Sequence, residues 1–212
     1  MFRIRSAGRD VLTAPVCLDV VRGGKALAWK TSQPARCCRK SSGKVLFRSV
    51  QSAHGLTRHS EVTVEMDGRV GVRVTLEAKK AESLGGLRLT LRLPADVCRY
   101  WLESAPPSWE AAGPAKLGFV CPDKTERPLA DFQFAWVGDY NAGLAFSIAG
   151  ARAGWLLGKN GRFRQVRAGD ECRIVLDTGP VRLEAGQPVT LEFALYVTPF
   201  KPLPSEHWDW RY

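Results

Sequence analysis

Two adjacent carboxylates, Asp170 and Glu171, are the first residues of this sequence whose pairing could do chemistry. Paired carboxylates can act as acid and base in the hydrolysis of a glycosidic bond. Here they follow Gly169 and open an apolar segment, residues 172–176, which is typical of a turn that leads into a strand. A carboxylate needs burial or a charged neighbour before its pKa moves to a catalytic value, and an exposed turn offers neither. The pair is therefore predicted to be a solvated turn.

The other residues that could catalyse a reaction or bind a metal lack the spacing that such sites require. The three histidines, His54, His59 and His207, lie in no nucleophile motif, and the sequence has no phosphate-binding glycine loop. None of the six cysteines has C-x-x-C spacing, and no histidine lies at a zinc-site distance from a cysteine pair. We expect free thiols, no metal, no cofactor and no catalytic site. The even cysteine number also allows disulfides, and missing local motifs do not argue against a site assembled from distant residues.

Seven tryptophans offer apolar surface for a core, for stacking on sugar rings or for contact with another domain. Trp136 and Trp155 lie in apolar segments and are predicted to belong to the core. Trp208 and Trp210 lie in a polar and charged tail, where a lone domain would gain nothing by exposing them. We expect this pair to pack against a further domain.

The net charge of +10 favours acidic partners such as anionic polysaccharide or nucleic acid. Three arginines, Arg73, Arg88 and Arg92, alternate with apolar residues on predicted strands. A single sheet face carrying all three would be a candidate contact surface for an anionic glycan, although solvated strand faces explain them equally well. Nucleic acid is not the expected partner, because the arginines are spread along the chain rather than clustered beside exposed aromatic residues.

Apolar residues recur at every second position in three segments, residues 70–76, 87–93 and 189–197. This alternation is typical of antiparallel strands with one buried face. Two hairpin turns are predicted, at Asp67-Gly68 and at Asn160-Gly161. With roughly twelve to fourteen such strands and no crossover helices, the sequence predicts an all-β, antiparallel β-sandwich.

The helical content is expected to be small, with at most one short helix near residues 95–103. The proline-rich region 105–128 is interpreted as a long irregular loop rather than a domain boundary. Residues 1–204 are therefore predicted to form a single sandwich domain, with residues 205–212 as a connector. No apolar segment is long enough to span a membrane, and the first ten residues lack the apolar region of a signal peptide. The compartment stays open, and a cytoplasmic location is expected if the chain is complete.

A specific pattern begins in the segment FAWVGDYNAGLAF, residues 134–146. Its residues Trp136, Gly138, Asp139 and Gly143 match the pattern W-x-G-D-x-x-x-G-L-x-W/F. This pattern resembles a stretch in the N-terminal domain of glycoside hydrolase family 123-like proteins. In that family a glycine and a tryptophan follow, and Gly154-Trp155 stand here.

Two further segments resemble the same family in the same order. Residues 196–204, which include Lys201, are similar to its A-T-P-V-K-P-L-P segment. Residues 65–68 and 87–94 resemble its E-x-D-G hairpin and the strand that follows. The candidate interface consists of the matching residues and the two tail tryptophans: Trp136, Gly138, Asp139, Gly143, Trp155, Lys201, Trp208 and Trp210.

The resemblance implies a β-sandwich followed by a TIM-like barrel that carries the chemistry. That chemistry is the retaining hydrolysis of N-acetylgalactosaminides, assisted by the acetamido group of the substrate. The acidic pair that performs it would lie beyond Tyr212, and no residue of this chain matches it. The sequence departs from the family between Phe146 and Gly154, where an acidic segment is usual and this chain has no carboxylate.

The expected function is therefore that of a non-catalytic accessory domain in a carbohydrate-active protein. Its expected partner is a C-terminal catalytic barrel or a carbohydrate. No contact with a membrane is expected. The alternative is a stand-alone module that binds anionic polysaccharide. We expect the motif residues to be architectural, because Gly138 and Asp139 can supply a turn between two strands.

Overall fold

A computed structural model describes residues 4–6, 8–103, 120–139, 141–148 and 152–199. Within them the chain forms eighteen strands, a short helix α1 at Arg152–Trp155 and a 3-10 turn at Leu129–Asp131. The strands are β1 Arg5–Ser6, β2 Arg9–Asp10, β3 Cys17–Arg22, β4 Lys25–Ala26, β5 Lys30–Lys40, β6 Lys44–Ala53, β7 Leu56–Glu65, β8 Arg69–Ala78, β9 Glu82–Leu84, β10 Gly86–Pro94, β11 Tyr100–Glu103, β12 Lys124–Pro128, β13 Phe134–Gly138, β14 Gly143–Ser147, β15 Arg162–Ala168, β16 Glu171–Asp177, β17 Val181–Leu183 and β18 Val189–Thr198.

Two antiparallel sheets dominate the structure. The smaller has six strands in the order β12-β15-β16-β10-β3-β4, and the larger has eight in the order β11-β13-β14-β18-β8-β7-β6-β5. Two-stranded ribbons, β1-β2 and β17-β9, accompany them. Buried apolar side chains from both large sheets form one core cluster, so the predicted antiparallel β-sandwich is confirmed.

The alternation seen in the sequence marks the inner face of each sheet. The apolar residues of β8 from Val70 to Leu76 are buried, and so are those of β10 from Leu87 to Leu93. The residues between them point outward. Both strands have a hydrogen-bonded neighbour on each side, β18 and β7 for β8, and β16 and β3 for β10. The strands predicted from period-two patterning are therefore confirmed.

The first predicted hairpin is confirmed. The strands β7 and β8 pair in the register Val64 to Val70, on either side of Asp67-Gly68. Gly68 has φ +84, a conformation that other residues rarely adopt, and its amide donates to the carbonyl oxygen of Glu65. The Asp67 carboxylate accepts a hydrogen bond from the Arg69 amide at 3.0 Å, which closes the turn.

The predicted positions of the helix and the second hairpin were wrong. Residues 95–99 form only turns, because β11 begins at Tyr100 and pairs with β13. The helix lies instead at α1 and includes Trp155, so Asn160-Gly161 connects a helical turn to β15 rather than joining two strands. No helix in the described ranges is long and apolar enough to cross a membrane.

Aromatic rings join the two sheets at one end of the core. Phe163 on β15 stacks on Phe132 with ring centroids 4.5 Å apart and planes 2° from parallel. Phe146 on β14 stacks on Phe132 at 5.4 Å, and Trp101 contacts Phe146 edge-on at 6.1 Å. This cluster unites the six-stranded and the eight-stranded sheet through directly packed rings.

The six cysteines are free thiols in the structure. Three of them, Cys98, Cys121 and Cys172, are buried together beside Gln165, whose amide nitrogen lies 3.5 Å from the sulfur of Cys172. Hydrogen bonds to Cys172, reinforced by burial, raise the pKa of Cys98 and of Cys121, so both remain protonated. The same hydrogen bonds, from Cys121 and Cys98, lower the pKa of Cys172 although burial opposes them, so the three sulfurs form a hydrogen-bonded cluster inside the core.

One margin of the eight-stranded sheet extends past the core. Every residue of β5 is exposed, so neither face of this strand is covered by the other sheet. Its pairing with β6 contains three register shifts, and Pro34 lies within the second, between Gln33 and Arg36. We call this margin the overhang; it consists of β5 with the paired residues 44–48 of β6 and 61–65 of β7. Register shifts, proline and basic residues are the features that keep an edge strand from pairing with another chain.

Candidate functional site

A groove of about 800 Å³ runs over the outer face of the eight-stranded sheet. Its lining comes from six neighbouring strands, β6, β7, β8, β18, β14 and β13. The lining residues are Lys44, Leu46, Glu61, Thr63, Arg69, Gly71, Val72, Arg73, Phe134, Ala145, Ser147, Glu192, Phe193, Ala194 and Tyr196. The volume lies in the range typical of small-molecule sites.

The floor of the groove is a row of small side chains that face one another across the strands. Thr63 pairs with Gly71, Gly71 with Ala194, and Ala194 with Ser147. The next position in this row is Phe134, which pairs with Ser147 and provides an aromatic wall at the end. Directly paired residues point to the same side of a sheet, so a shallow trough results where large neighbours flank small ones.

A charged row borders the floor on one side. Arg48, Glu61, Arg73 and Glu192 occupy paired positions across four strands. The Arg48 Nε atom donates to Glu61 at 2.6 Å, and Arg73 Nε donates to Glu192 at 2.5 Å. The row offers alternating donors and acceptors, with each charge already balanced by a neighbour.

A second charged row lies on the other side of the floor. Glu65 forms ion pairs with Lys44 at 3.3 Å and with Arg69 at 3.0 Å. Arg69 Nε also donates to the Tyr196 hydroxyl at 3.0 Å. The pKa of Arg69 is raised: burial lowers it, but the hydrogen bonds to Tyr196 and Glu65 outweigh that effect. The arginine lies over Gly71, where an added Cβ would be 3.4 Å from a guanidinium nitrogen.

The prediction that Trp136 belongs to the core was wrong: Ala135 and Val137 face the core, and Trp136 between them is half-buried on the other face of the strand. Its indole lies against two glycines, since an added Cβ on Gly138 would be 2.5 Å from the ring and one on Gly143 would be 2.8 Å from the indole nitrogen. That nitrogen donates to the Thr198 hydroxyl at 2.8 Å. The two glycines of the motif are therefore the residues over which this ring can pack.

Asp139 holds the loop between β13 and β14. One carboxylate oxygen accepts hydrogen bonds from the amides of Asn141 at 2.7 Å and Ala142 at 2.6 Å. The other accepts an ion pair from Arg9 at 3.2 Å, and Arg9 also reaches Asp96. The aspartate thus closes a turn and ties the amino-terminal ribbon to it.

An Asp139→Ala substitution is expected to lower the free energy of unfolding by about 1–3 kcal/mol, because two backbone donors lose their acceptor. Chemical denaturation of both proteins measures the difference. Asp67→Ala is the matched control: that carboxylate closes an exposed hairpin through one amide, and its loss is expected to cost less. Equal effects of the two substitutions would contradict the role given to Asp139.

The second half of the signature pins the short helix to the sheet. Gly154 contacts the backbone carbonyl of Thr190 on β18 so closely that a Cβ has no room. Trp155 is fully buried, donates to the Glu192 carbonyl oxygen at 2.7 Å and contacts Phe193 edge-on at 6.4 Å. These contacts lie beneath the groove, because Glu192 belongs to its charged border.

The predicted arginine surface was wrong. Arg73 lies on β8 of the eight-stranded sheet, whereas Arg88 and Arg92 lie on β10 of the six-stranded sheet, so the three do not share a face. Alternation predicts which face of a strand is exposed, but not the sheet to which the strand belongs. All three also form ion pairs, with Glu192, Asp177 and Glu171 respectively.

The acidic pair of the sequence lies in the hairpin between β15 and β16. Asp170 is exposed, and Glu171 pairs with Arg173 at 3.1 Å. The predicted solvated turn is confirmed. In the described ranges, no group of three or more histidine, cysteine or acidic residues is placed to hold a metal ion.

Lys201, Trp208, Trp210 and the connector 205–212 lie outside the described residues, and so does the predicted loop up to residue 119. The end of that predicted loop was wrong, because residues 124–128 form β12. Sequence patterning missed the groove, whose Glu61, Arg69 and Tyr196 come from three separate strands. The small residues at outward positions, Gly71 and Ala194, were a signal, but their alignment depends on a register that the sequence does not reveal.

The family assignment follows from the sequence as a whole. The family described as Glycoside hydrolase 123, third domain, matches residues 1–199. The chain belongs to this family. The relationship to family 123 indicated by the motifs is thereby confirmed, while an N-terminal position within the enzyme stays a prediction. No curated protein sequence matches this chain.

Solved structures show only a distant likeness to this member of family 123. Heparan sulfate lyase HepC from Pedobacter heparinus has a TM-score of 0.44 at 7% identity, over 86% of this chain and 23% of its own. A putative aldose 1-epimerase from Escherichia coli K12 gives 0.42 at 14% identity, over 95% of this chain and 79% of its own. A putative mutarotase from Salmonella typhimurium gives 0.47 at 13%, over 77% and 64%. The chain thus spans about a quarter of the HepC length, and likenesses of this degree carry no functional argument.

Proposed function

We propose that this chain is a non-catalytic accessory domain of a carbohydrate-active protein, and that it docks onto another domain of that protein. The family match supports the setting, since the family is a domain of a glycoside hydrolase. The contacts of the signature residues support an architectural role. Trp136 packs on its glycines, Asp139 closes a loop, and Trp155 fills the core.

The observation that carries the proposal is the apolar underside of the overhang. Val62 packs partly against the core, so its face is the inner face of the sheet. Val45 pairs with Val64 and Phe47 with Val62, which places four apolar side chains on that face. Phe47 is 36% exposed and Val64 38%, and Met66 beside them is 77% exposed. A contiguous apolar patch on an otherwise polar margin is typical of a contact surface.

We propose that the occupant of this underside is the catalytic barrel that the family resemblance implies. Contacts between domains of one chain bury moderate areas, and an apolar surface such as this underside favours a contact that holds the two domains together.

The absence of catalysis is tested first on the purified chain. Incubation with aryl N-acetylgalactosaminides, the substrates implied by the family resemblance, is expected to release no aryl alcohol above the buffer rate. The groove carboxylates Glu61 and Glu192, and Glu65 beside the groove, are each engaged in an ion pair, which supports this expectation. Turnover that disappears in a Glu61→Gln or Glu192→Gln variant would overturn the proposal.

The docking surface is tested in a polypeptide that carries this domain together with a barrel. The double variant Phe47→Asp, Val64→Asp is expected to split a joint thermal unfolding transition into two, because charge on the underside removes the interdomain contact. Leu157→Asp is the matched control, since Leu157 is 47% exposed on a different surface. An unchanged joint transition in the double variant would refute docking through the overhang.

A further inference from the structure

The positive charge of this protein is concentrated in one part of the sequence. Residues 20–60 contain nine lysines and arginines and no aspartate or glutamate. They therefore carry +9 of the net charge of +10. The arginines are spread along the chain, as noted from the sequence, but those outside this segment include several that are balanced by neighbouring carboxylates.

The unbalanced cations of this segment lie on the overhang and the strand before it. Arg22, Lys44 and Arg48 form ion pairs, and Arg58 is buried and donates to the Leu18 carbonyl oxygen. In the part of the chain that the structure describes, five others have no carboxylate within ion-pairing distance, and they are Lys25, Lys30, Arg36, Arg39 and Lys40.

Three of these free cations face the same side as the groove. Arg36 pairs with Arg48, and Arg39 pairs with Leu46. Leu46 lines the groove, and Arg48 belongs to its charged border, so their partners on β5 point to that side as well. Lys30 pairs with Ser52 and follows the same side, since Ser52 and Arg48 are separated by two full alternations. Lys30 and Arg36 are an even number of positions apart, and the register shift between Cys37 and Arg39 brings Arg39 to the same side.

The free cations and the groove form one continuous track. From Arg39 the row continues through Leu46, Thr63 and Gly71 to the aromatic wall at Phe134, in register across seven strands. Six inter-strand spacings make this track about 29 Å long. That length suits an oligosaccharide rather than a single sugar.

We propose that the outer face of the eight-stranded sheet binds a linear acidic glycan. Its hydroxyl groups lie in the groove against the paired charges, and its carboxylate or sulfate groups contact Lys30, Arg36 and Arg39. This inference goes beyond the accessory role, because it assigns a ligand to the face opposite the underside that docks.

The mixed charge of the groove favours a glycan over a nucleic acid. Glu61, Glu65 and Glu192 are hydrogen-bond acceptors, and the phosphate groups of a nucleic acid backbone offer them no donor. The same carboxylates accept hydrogen bonds from sugar hydroxyls, while Arg69 and Arg73 donate to them. Phe134 and Tyr196 offer ring faces at the end away from the cations.

Calorimetric titration of the purified chain at low and moderate salt tests the proposal. The acidic probes are hexagalacturonate and a heparin hexasaccharide, and the neutral control is the fully methyl-esterified hexagalacturonate. At least one acidic probe is expected to bind. If the carboxylates of hexagalacturonate are contacted, its methyl ester is expected to bind at least about tenfold more weakly than hexagalacturonate itself. Neutralising two contacts in Arg36→Gln, Arg39→Gln should weaken acidic-probe binding by about tenfold or more.

The matched control is Arg88→Gln, Arg92→Gln, which removes the same charge from the opposite sheet and should change affinity less than about twofold. Ala194→Trp fills the groove floor and is expected to abolish binding, with circular dichroism confirming that each variant is folded. The proposal is overturned if neither acidic probe binds, if both double variants weaken binding equally, or if Ala194→Trp has no effect. Equally tight binding of a single-stranded oligodeoxynucleotide with the same number of charges would favour a nucleic acid instead. None of these outcomes depends on docking through the overhang, so the two proposals fail separately.

Discussion

A Phe163→Ala variant loses about 3–5 kcal/mol of unfolding free energy, which is the usual cost of emptying a phenylalanine site in a packed core. Phe163 is fully buried and stacks on Phe132 at 4.5 Å. The Arg127 guanidinium lies 4.9 Å from the centre of the same ring, and burial lowers the pKa of this arginine. Removing the ring therefore creates a cavity and also takes from a half-buried cation the nearer of its two aromatic rings, since Phe132 lies 5.6 Å from Arg127.

Urea denaturation monitored by fluorescence measures this loss. Val166→Ala is the matched control, because Val166 lies on the same strand and is 39% exposed. The Val166→Ala variant is expected to lose less than about 1 kcal/mol of unfolding free energy. If Phe163→Ala cost no more than Val166→Ala, the aromatic cluster would not be what holds the two sheets together at this end.

The second large effect is expected at Trp155, where alanine should cost about 3–5 kcal/mol. The indole fills a fully buried site, and its nitrogen donates to the Glu192 carbonyl oxygen at 2.7 Å. Trp155→Phe retains most of the volume but leaves that oxygen without its donor, so a smaller loss of about 1–3 kcal/mol is expected.

Equilibrium denaturation measures the unfolding free energies of both Trp155 variants, with Leu156→Ala as the control. Leu156 is the adjacent residue in the chain and is 43% exposed. A Trp155→Ala variant with near-native stability would show that this signature residue is retained for a reason other than packing. A large loss of unfolding free energy in Trp155→Ala, together with unchanged binding of the acidic glycan, would support a structural role for Trp155.

The sequence predicted those strands that have one buried face. The leucines of β10 and the valines of β8 alternate because one side meets the core and the other meets solvent. Strand β5 shows no such pattern, because both of its faces are exposed. The sequence carried no apolar period by which this eleven-residue strand could be recognised.

The candidate site could not be predicted, because it depends on register between distant strands. Arg69 and Tyr196 are 127 positions apart, yet they are hydrogen-bonded neighbours in the groove. The same uncertainty about pairing led to Arg73, Arg88 and Arg92 being grouped on one face. The motif from Trp136 to Gly143 was identified from its residue types alone. The packing of the Trp136 indole on two glycines explains why these residue types occur together.

The separation between the basic segment and the core has a consequence for how this protein can diverge. No residue of β5 is buried, whereas Phe163 and Trp155 are completely enclosed. Substitutions that add or remove charge on β5 should leave the free energy of unfolding almost unchanged. Homologous domains can therefore drift in surface charge, and with it in the ligands that they favour, while selection on folding acts on a different set of positions.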